Sequence, residues 1–179
     1  MTSINRAIIL DRDGVLNENR STYVQNPDQL KIIAGVPQAI FKLNQANYKV
    51  LLATNQACIG KGIISPGTLT NIHKKLYSEI AKAGGKIDAI YHCPHTNADN
   101  CNCRKPKPGM LIQAQKEWNF NPTKTWFVGD TPRDMEAAKG ANCKGALVLT
   151  GLGAESANKV PNHPHFNNLA EFVDFLLKN

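Results

Sequence analysis

Short apolar runs alternate along the chain with stretches in which apolar residues recur every three or four positions. Ala7-Ile8-Ile9-Leu10 reads as a buried strand from its length and aliphatic, branched composition. Pro37 opens a helix whose Ala39, Ile40, Leu43 and Ala46 share one face. A second strand, Lys49 to Ala53, ends on Thr54-Asn55-Gln56. After the loop Gly60-Lys61-Gly62, Ser65 caps and Pro66 begins a helix with Leu69, Ile72, Leu76 and Ile80 on its apolar side, stopped by Gly84-Gly85. Ile87 to Tyr91 is a third strand, Met110 to Trp118 a helix, and Thr125 to Val128 a fourth strand. Thr131-Pro132 starts a helix that runs through Ala138 and closes at Gly140, and Ala146 to Leu149 makes a fifth strand. The last helix presents Leu169, Phe172, Val173 and Leu176, with Asn168 as cap and Glu171 at the reciprocal capping-box position. This order predicts an α/β fold with a parallel sheet covered by helices on both faces.

In such a sheet, ligands bind beyond the carboxyl ends of the strands. That rule gathers Asp11, Asp13, Thr54, Asn55 and Asp130 at one edge. Asp11 and Asp13 sit two apart after the first strand and can address one point in space. Alone, Asp11-Arg12-Asp13-Gly14 reads equally well as a polar turn. Two like charges call for a cation, and Mg²⁺ suits an all-oxygen site with room for phosphate. A carboxylate can attack a phosphoryl group to form an aspartyl-phosphate. Asp11 is then nucleophile and Mg²⁺ ligand. Asp13 gives a proton to the leaving oxygen and later takes one from water, its backbone carbonyl facing the metal, and Asp130 completes the Mg²⁺ site.

Thr54 offers a hydroxyl and an N–H to a phosphate, although a Thr-Asn pair ending a strand is also an ordinary cap or turn. Lys105 supplies a cation and Arg104 a planar fork for substrate oxygens; an exposed Arg-Lys pair is otherwise solvated surface. Asp134 falls at the third position of the helix capped by Thr131, which favours a helix N-terminal role and leaves open assistance to the metal ligands. The polar stretch 15–33, with Asn19, Arg20 and Tyr23, is a candidate substrate loop.

The five cysteines add a second metal. Cys93, His95, Cys101 and Cys103 lie within one short segment and suit a closed, structural Zn²⁺ shell. His92 is not needed as a ligand, and Cys58 and Cys143 read as small buried residues. With 179 residues and 42% hydrophobic content, one domain over 1–179 is expected. No apolar run is long enough to span a bilayer and no signal pattern opens the chain, so the expectation is a cytoplasmic protein without membrane contact. A formal charge of +7 favours anionic partners. A zinc-containing nucleic-acid-binding module is the alternative of another class; the spread of lysines and the lack of a basic recognition helix weigh against it.

These motifs resemble the haloacid-dehalogenase-like (HAD) phosphatases, and within them the heptose 1,7-bisphosphate phosphatases, which are related to histidinol phosphatases. The segments that carry the resemblance are Asp11-Arg12-Asp13-Gly14-Val15-Leu16-Asn17, Thr54-Asn55-Gln56, Cys93-Pro94-His95, Cys101-Asn102-Cys103-Arg104-Lys105-Pro106 and Gly129-Asp130-Thr131-Pro132-Arg133-Asp134. They span about residues 7 to 150, and the zinc loop 93–103 is the specific part. The resemblance implies a capless, Rossmann-like, Mg²⁺-dependent phosphatase that removes the C7 phosphate of D-glycero-D-manno-heptose 1,7-bisphosphate, toward lipopolysaccharide or surface-layer sugar. It implies that Thr54 and Lys105 stabilise the phosphoryl group. Asn19, Arg20, Tyr23, Asn55, Gln56 and Arg104 join them in contacting substrate. Histidinol-phosphate phosphatase, or another small sugar-phosphate phosphatase, is the related alternative. The segment Asn19 to Tyr23 departs from the Asp-His-Gly-Tyr-like versions of the family and the zinc loop is compact, which leaves sugar and anomer open. The expected partner is a phosphorylated sugar, met by a monomer.

Overall fold

Side chains two apart on a strand point to the same side, and the strands use this to feed two separate cores. The computed structural model describes residues 6–178. Six parallel strands, β1 (Ala7–Leu10), β2 (Lys49–Asn55), β3 (Ala89–Cys93), β4 (Trp126–Gly129), β5 (Lys144–Val148) and β6 (His165–Phe166), lie in the order β3-β2-β1-β4-β5-β6. Ile8, Leu10, Val50, Leu52, Val128 and Val148 face one side, where α1 (Val36–Gln45), α3 (Pro66–Ala81) and α7 (Leu169–Lys178) cover them. Ala7, Ile9, Leu51, Ala53 and Phe127 face the other, against α4 (Gly109–Trp118) and α5 (Pro132–Gly140). The expected two-faced α/β sheet is the observed one. Among the described residues the long connection 11–35 stays a loop with a single 3-10 turn, so no cap domain interrupts the fold there.

Strand order reverses beside β1, with β2 on one flank and β4 on the other. This switch point opens a crevice at the strands' carboxyl ends. The helix starts that frame it are set locally: Ser65 Oγ accepts from Thr68 N at 3.0 Å, and Thr131 N donates to the Asp134 carboxylate at 3.0 Å.

Several boundaries differ from the sequence expectation. β3 begins at Ala89 rather than Ile87, because Asp88 is used before the ladder starts: its N–H donates to Val50 O and its carboxylate accepts from Val50 N. The strand therefore runs on to Cys93. Two short helices, α2 (Ala57–Gly60) and α6 (Gly153–Ser156), and the two-residue β6 carry too little periodicity to be read in advance. Asn168 does cap α7, accepting from Glu171 N at 3.0 Å. In return the Glu171 carboxylate accepts from Asn167 N at 2.7 Å instead of from the cap residue. Cys58 is buried as expected, whereas Cys143 is half-buried.

Candidate active site

Asp11, which directly follows β1 and is 8% exposed, has charge brought to it by three other elements. Lys105, from the loop before α4, reaches Asp11 Oδ2 at 2.9 Å and Asp134 Oδ1 at 2.7 Å. Asp130 closes the group from the end of β4, and Asp11, Asp130 and Asp134 offer carboxylate oxygens within 4.8 Å of one another. Gly14 and Gly151 wrap the Asp130 carboxylate so closely that a methyl group on either would collide with it; both have positive φ, +84° and +59°. Leu152 N donates to the same carboxylate at 2.9 Å.

Asp134 therefore serves both the helix start and the charged group, the second being the possibility the sequence left open. Its Oδ2 accepts from Thr131 N and Oγ1, the capping function, and its Oδ1 faces Lys105 and the carboxylate group.

Asp13 is expected to face Mg²⁺ through its backbone carbonyl, not through its carboxylate. Its carboxylate is not part of the cluster; it is held by Arg12 Nη2 at 2.9 Å to each oxygen, by Asn17 Nδ2 at 2.9 Å and by Gln56 Nε2 at 2.9 Å. Gln56 is likewise no part of the pocket wall. It is 1% exposed, and its amide ties Asp13 to Thr54 Oγ1. Because Thr54 Oγ1 accepts that bond, its own proton is free to be donated into the pocket. Asn55 lines the pocket, but both ends of its amide grip the Lys105 backbone, at 3.1 Å each way. It positions the cation.

The pocket over these groups is lined by Asn19, Arg20, Tyr23 and Arg104, as the sequence suggested, and also by Arg133 and Leu152. Arg104 is braced by Asn97 Oδ1 at 2.7 Å and His95 O at 3.1 Å, which leaves part of its fork for the pocket. Tyr23 accepts from Lys61 Nζ at 2.9 Å. Arg133 carried no signal beyond its place in the Gly129–Asp134 motif, and Leu152 none.

Electrostatics decide what this site can hold. Burial, then repulsion from Asp11 and Asp134, pushes Asp130 up to about 8. Burial also lifts Asp11 to about 6, against the pull of Lys105. For Asp13, burial acts upward, but the Arg12 charge and the bonds from Asn17, Arg12 and Gln56 outweigh it and hold the group below the carboxylate range. Three buried carboxylates carry more negative charge than one lysine neutralises. An all-oxygen donor set of that kind fits Mg²⁺.

The second metal group is Cys93, His95, Cys101 and Cys103. Cys93 Sγ lies 3.6 Å from His95 Nδ1, 3.6 Å from Cys101 Sγ and 3.2 Å from Cys103 Sγ, and Cys103 Sγ lies 3.3 Å from His95 Nδ1. A Zn²⁺ tetrahedron with bonds of about 2.3 Å has S–S edges of about 3.8 Å, so these donors fit a closed zinc shell. His92 stands outside it, edge-on to His73.

Comparison with known proteins agrees with this geometry. Residues 102–172 match the HAD-hydrolase-like family model. The D-glycero-beta-D-manno-heptose-1,7-bisphosphate 7-phosphatase of Neisseria meningitidis serogroup A is 41% identical over 178 residues, covering 97% of this chain and 95% of that one. The protein of that name from Pseudomonas aeruginosa is 40% identical over 85% of each. The crystal structure of D,D-heptose 1,7-bisphosphate phosphatase from Bordetella bronchiseptica, complexed with magnesium and phosphate, superposes with a TM-score of 0.94 at 38% identity, covering 97% of this chain and 98% of that one. Sequence relatives and structural neighbours together place this chain in the heptose-1,7-bisphosphate phosphatase family of HAD-like hydrolases.

Proposed function

We propose that this chain hydrolyses the C7 phosphate of D-glycero-beta-D-manno-heptose 1,7-bisphosphate through an aspartyl-phosphate on Asp11. The observation that carries this reading is the meeting of the buried Asp11 carboxylate with Lys105, delivered to it by the Cys/His loop. In the first step an Asp11 oxygen attacks phosphorus, the bond from phosphorus to the C7 oxygen breaks, and Asp13 gives its proton to that oxygen. In the second, water attacks the aspartyl-phosphate and its proton passes to Asp13. The bond to Asp11 breaks and phosphate leaves.

Lys105 and the Thr54 hydroxyl meet the charge that develops on the phosphoryl oxygens. Asn19, Arg20, Tyr23 and Arg104 face the remainder of the substrate. Asp11, Asp130 and the backbone carbonyl of Asp13 would hold Mg²⁺, with Asp134 beside them in the carboxylate group; when bound, the ion screens the repulsion between an anionic nucleophile and an anionic ester. Cys93, His95, Cys101 and Cys103 would hold Zn²⁺ in a structural role.

The reading extends to a cytoplasmic monomer acting as one domain over residues 1–179. No described helix is long and apolar enough to cross a membrane. The Cys/His group is used to place Arg104 and Lys105 at the pocket, which favours a phosphatase over a nucleic-acid module. A phosphate-release screen with Mg²⁺ over the beta and alpha heptose bisphosphates, histidinol phosphate and simple sugar monophosphates tests it. The beta bisphosphate is expected to give the highest kcat/KM. A preference for histidinol phosphate would reassign the substrate, and no turnover of any ester would remove the phosphatase reading.

A further inference from the structure

Arg12 lies between the two catalytic aspartates and is 1% exposed, the largest fully buried side chain among the described residues. Its Nε and Nη2 hold Asp13, at 3.3 Å and 2.9 Å to Oδ1 and 2.9 Å to Oδ2. Its Nη1 reaches the other way, to Nε2 of His73 on α3, at 3.3 Å. A guanidinium has donors and no acceptor. His73 Nε2 must therefore offer its lone pair, which makes the ring neutral and puts its proton on Nδ1.

The surroundings agree. His92 stands edge-on to His73 with ring centroids 5.9 Å apart, and the one carboxylate that acts on the ring, Asp13, lies behind Arg12. Burial first, then Arg12 and His92, keep the imidazolium form unfavourable.

We infer that neutral His73 is a positioning residue for phosphoryl transfer, fixing the plane of the Arg12 guanidinium and through it the carboxylate of Asp13. The inference rests on the reading of Asp13 as the proton-transfer group. Asp13 keeps 26% of its side chain exposed while Arg12, Asn17 and Gln56 occupy its oxygens. To carry a proton it must release one of those donors, so the orientation of Arg12 decides which oxygen can serve the leaving group. A sugar alkoxide needs that proton as the bond to phosphorus breaks. A nitrophenolate leaves without it.

The test uses the full-length, Mg²⁺-loaded enzyme and two variants. His73→Phe keeps a ring and removes the acceptor, whereas His73→Gln can place a carbonyl oxygen near the former Nε2. His73→Phe is expected to lower kcat on heptose bisphosphate about tenfold or more with KM within about twofold, and His73→Gln to stay within about threefold of wild type. The pre-steady-state burst of nitrophenol from nitrophenyl phosphate should be unchanged within about twofold in both variants. Equal losses on the two esters, no loss in His73→Phe, or a His73→Gln protein as slow as His73→Phe would each overturn the assignment. A measurement on the wild-type protein stands even if a variant misfolds. Long-range ¹H–¹⁵N correlation should show His73 with a protonated Nδ1 and bare Nε2 through neutral pH, and a proton on Nε2 overturns the inference. Wild-type protein inert toward heptose bisphosphate would sink the substrate reading instead, and the tautomer would still be decided by the spectrum.

Discussion

Lys105 and Arg104 are adjacent, yet the structure gives them different surroundings. Lys105 is 3% exposed and paired with Asp11 and Asp134; Arg104 is half-buried, braced on the zinc loop and open to the pocket. Lys105→Ala should therefore lower kcat about a hundredfold on every phosphate ester, the usual cost of one group that stabilises transition-state charge. Arg104→Ala should cost roughly tenfold to a hundredfold more on the bisphosphate than on nitrophenyl phosphate, for about 1–3 kcal/mol of charged hydrogen bonding. Steady-state kinetics on both esters separates the roles, and parallel losses for Arg104→Ala would place it with Lys105. His73 gives a prediction about stability. Burial, then Arg12 and His92, takes its pKa from an ordinary 6.5 down to about 3. A folded pKa below the unfolded one means the unfolded chain binds the extra proton between these values, so stability present above pH 6.5 is lost as pH falls toward 3. His73→Gln should flatten the acid side of a stability profile from urea unfolding between pH 7 and pH 4.5, and an unchanged slope would show that the ring titrates normally. The meeting of Asp11 and Asp130 at one sheet edge was legible because each follows a short apolar run that reads as a buried strand. His73 was not, because its partner Arg12 lies 61 positions away and a histidine beside the apolar face of a helix has no signature of its own.

The zinc loop is the element that joins fold to chemistry. β3 ends on Cys93, the loop returns through Cys101 and Cys103, and the next two residues are Arg104 and Lys105. A metal that fixes Cys103 thereby fixes both cations. Cys103→Ser should reduce bound zinc from one per chain, lower Tm and depress turnover together, since a hydroxyl is a poor replacement for a thiolate ligand. Elemental analysis under reducing conditions beside activity checks this; full activity in zinc-free protein would detach the loop from catalysis. The ligands were readable because three cysteines and a histidine at close spacing have few other uses in one loop. The long helices were readable from Ser65-Pro66 and Thr131-Pro132 and from apolar spacing such as Leu69, Ile72, Leu76 and Ile80, all buried. β6 was not: two residues, His165 and Phe166, hold their place through pairing with Leu147 and Val148, and pairing leaves no trace in so short a run. The same holds for the turn at Gly151 and Leu152, whose function comes from Asp130, a residue of another strand end.

At the scale of the molecule, the parallel sheet supplies the site by reversing strand order beside β1, and the surface supplies a charge of +7. The two act at different distances. Lys105 works in contact with buried carboxylates, where salt penetrates little, while Arg20, Arg104 and Arg133 line the pocket nearer solvent, and the remaining surplus is spread over the chain. A bisphosphate approaching the pocket carries more charge than a monophosphate and is drawn more strongly by the same field. The field reaches about 30 Å at 0.01 M ionic strength and about 8 Å at 0.15 M, so added salt removes long-range attraction before it disturbs contact pairs. kcat/KM for heptose bisphosphate should therefore fall roughly threefold to tenfold across that range, with kcat steady within about twofold and a shallower slope for a sugar monophosphate. The measurement is steady-state kinetics with KCl varied at constant Mg²⁺. A kcat/KM that stays flat with salt would show that the positive surface does not steer substrate, and a kcat that falls in parallel would place the salt-sensitive charges inside the pocket.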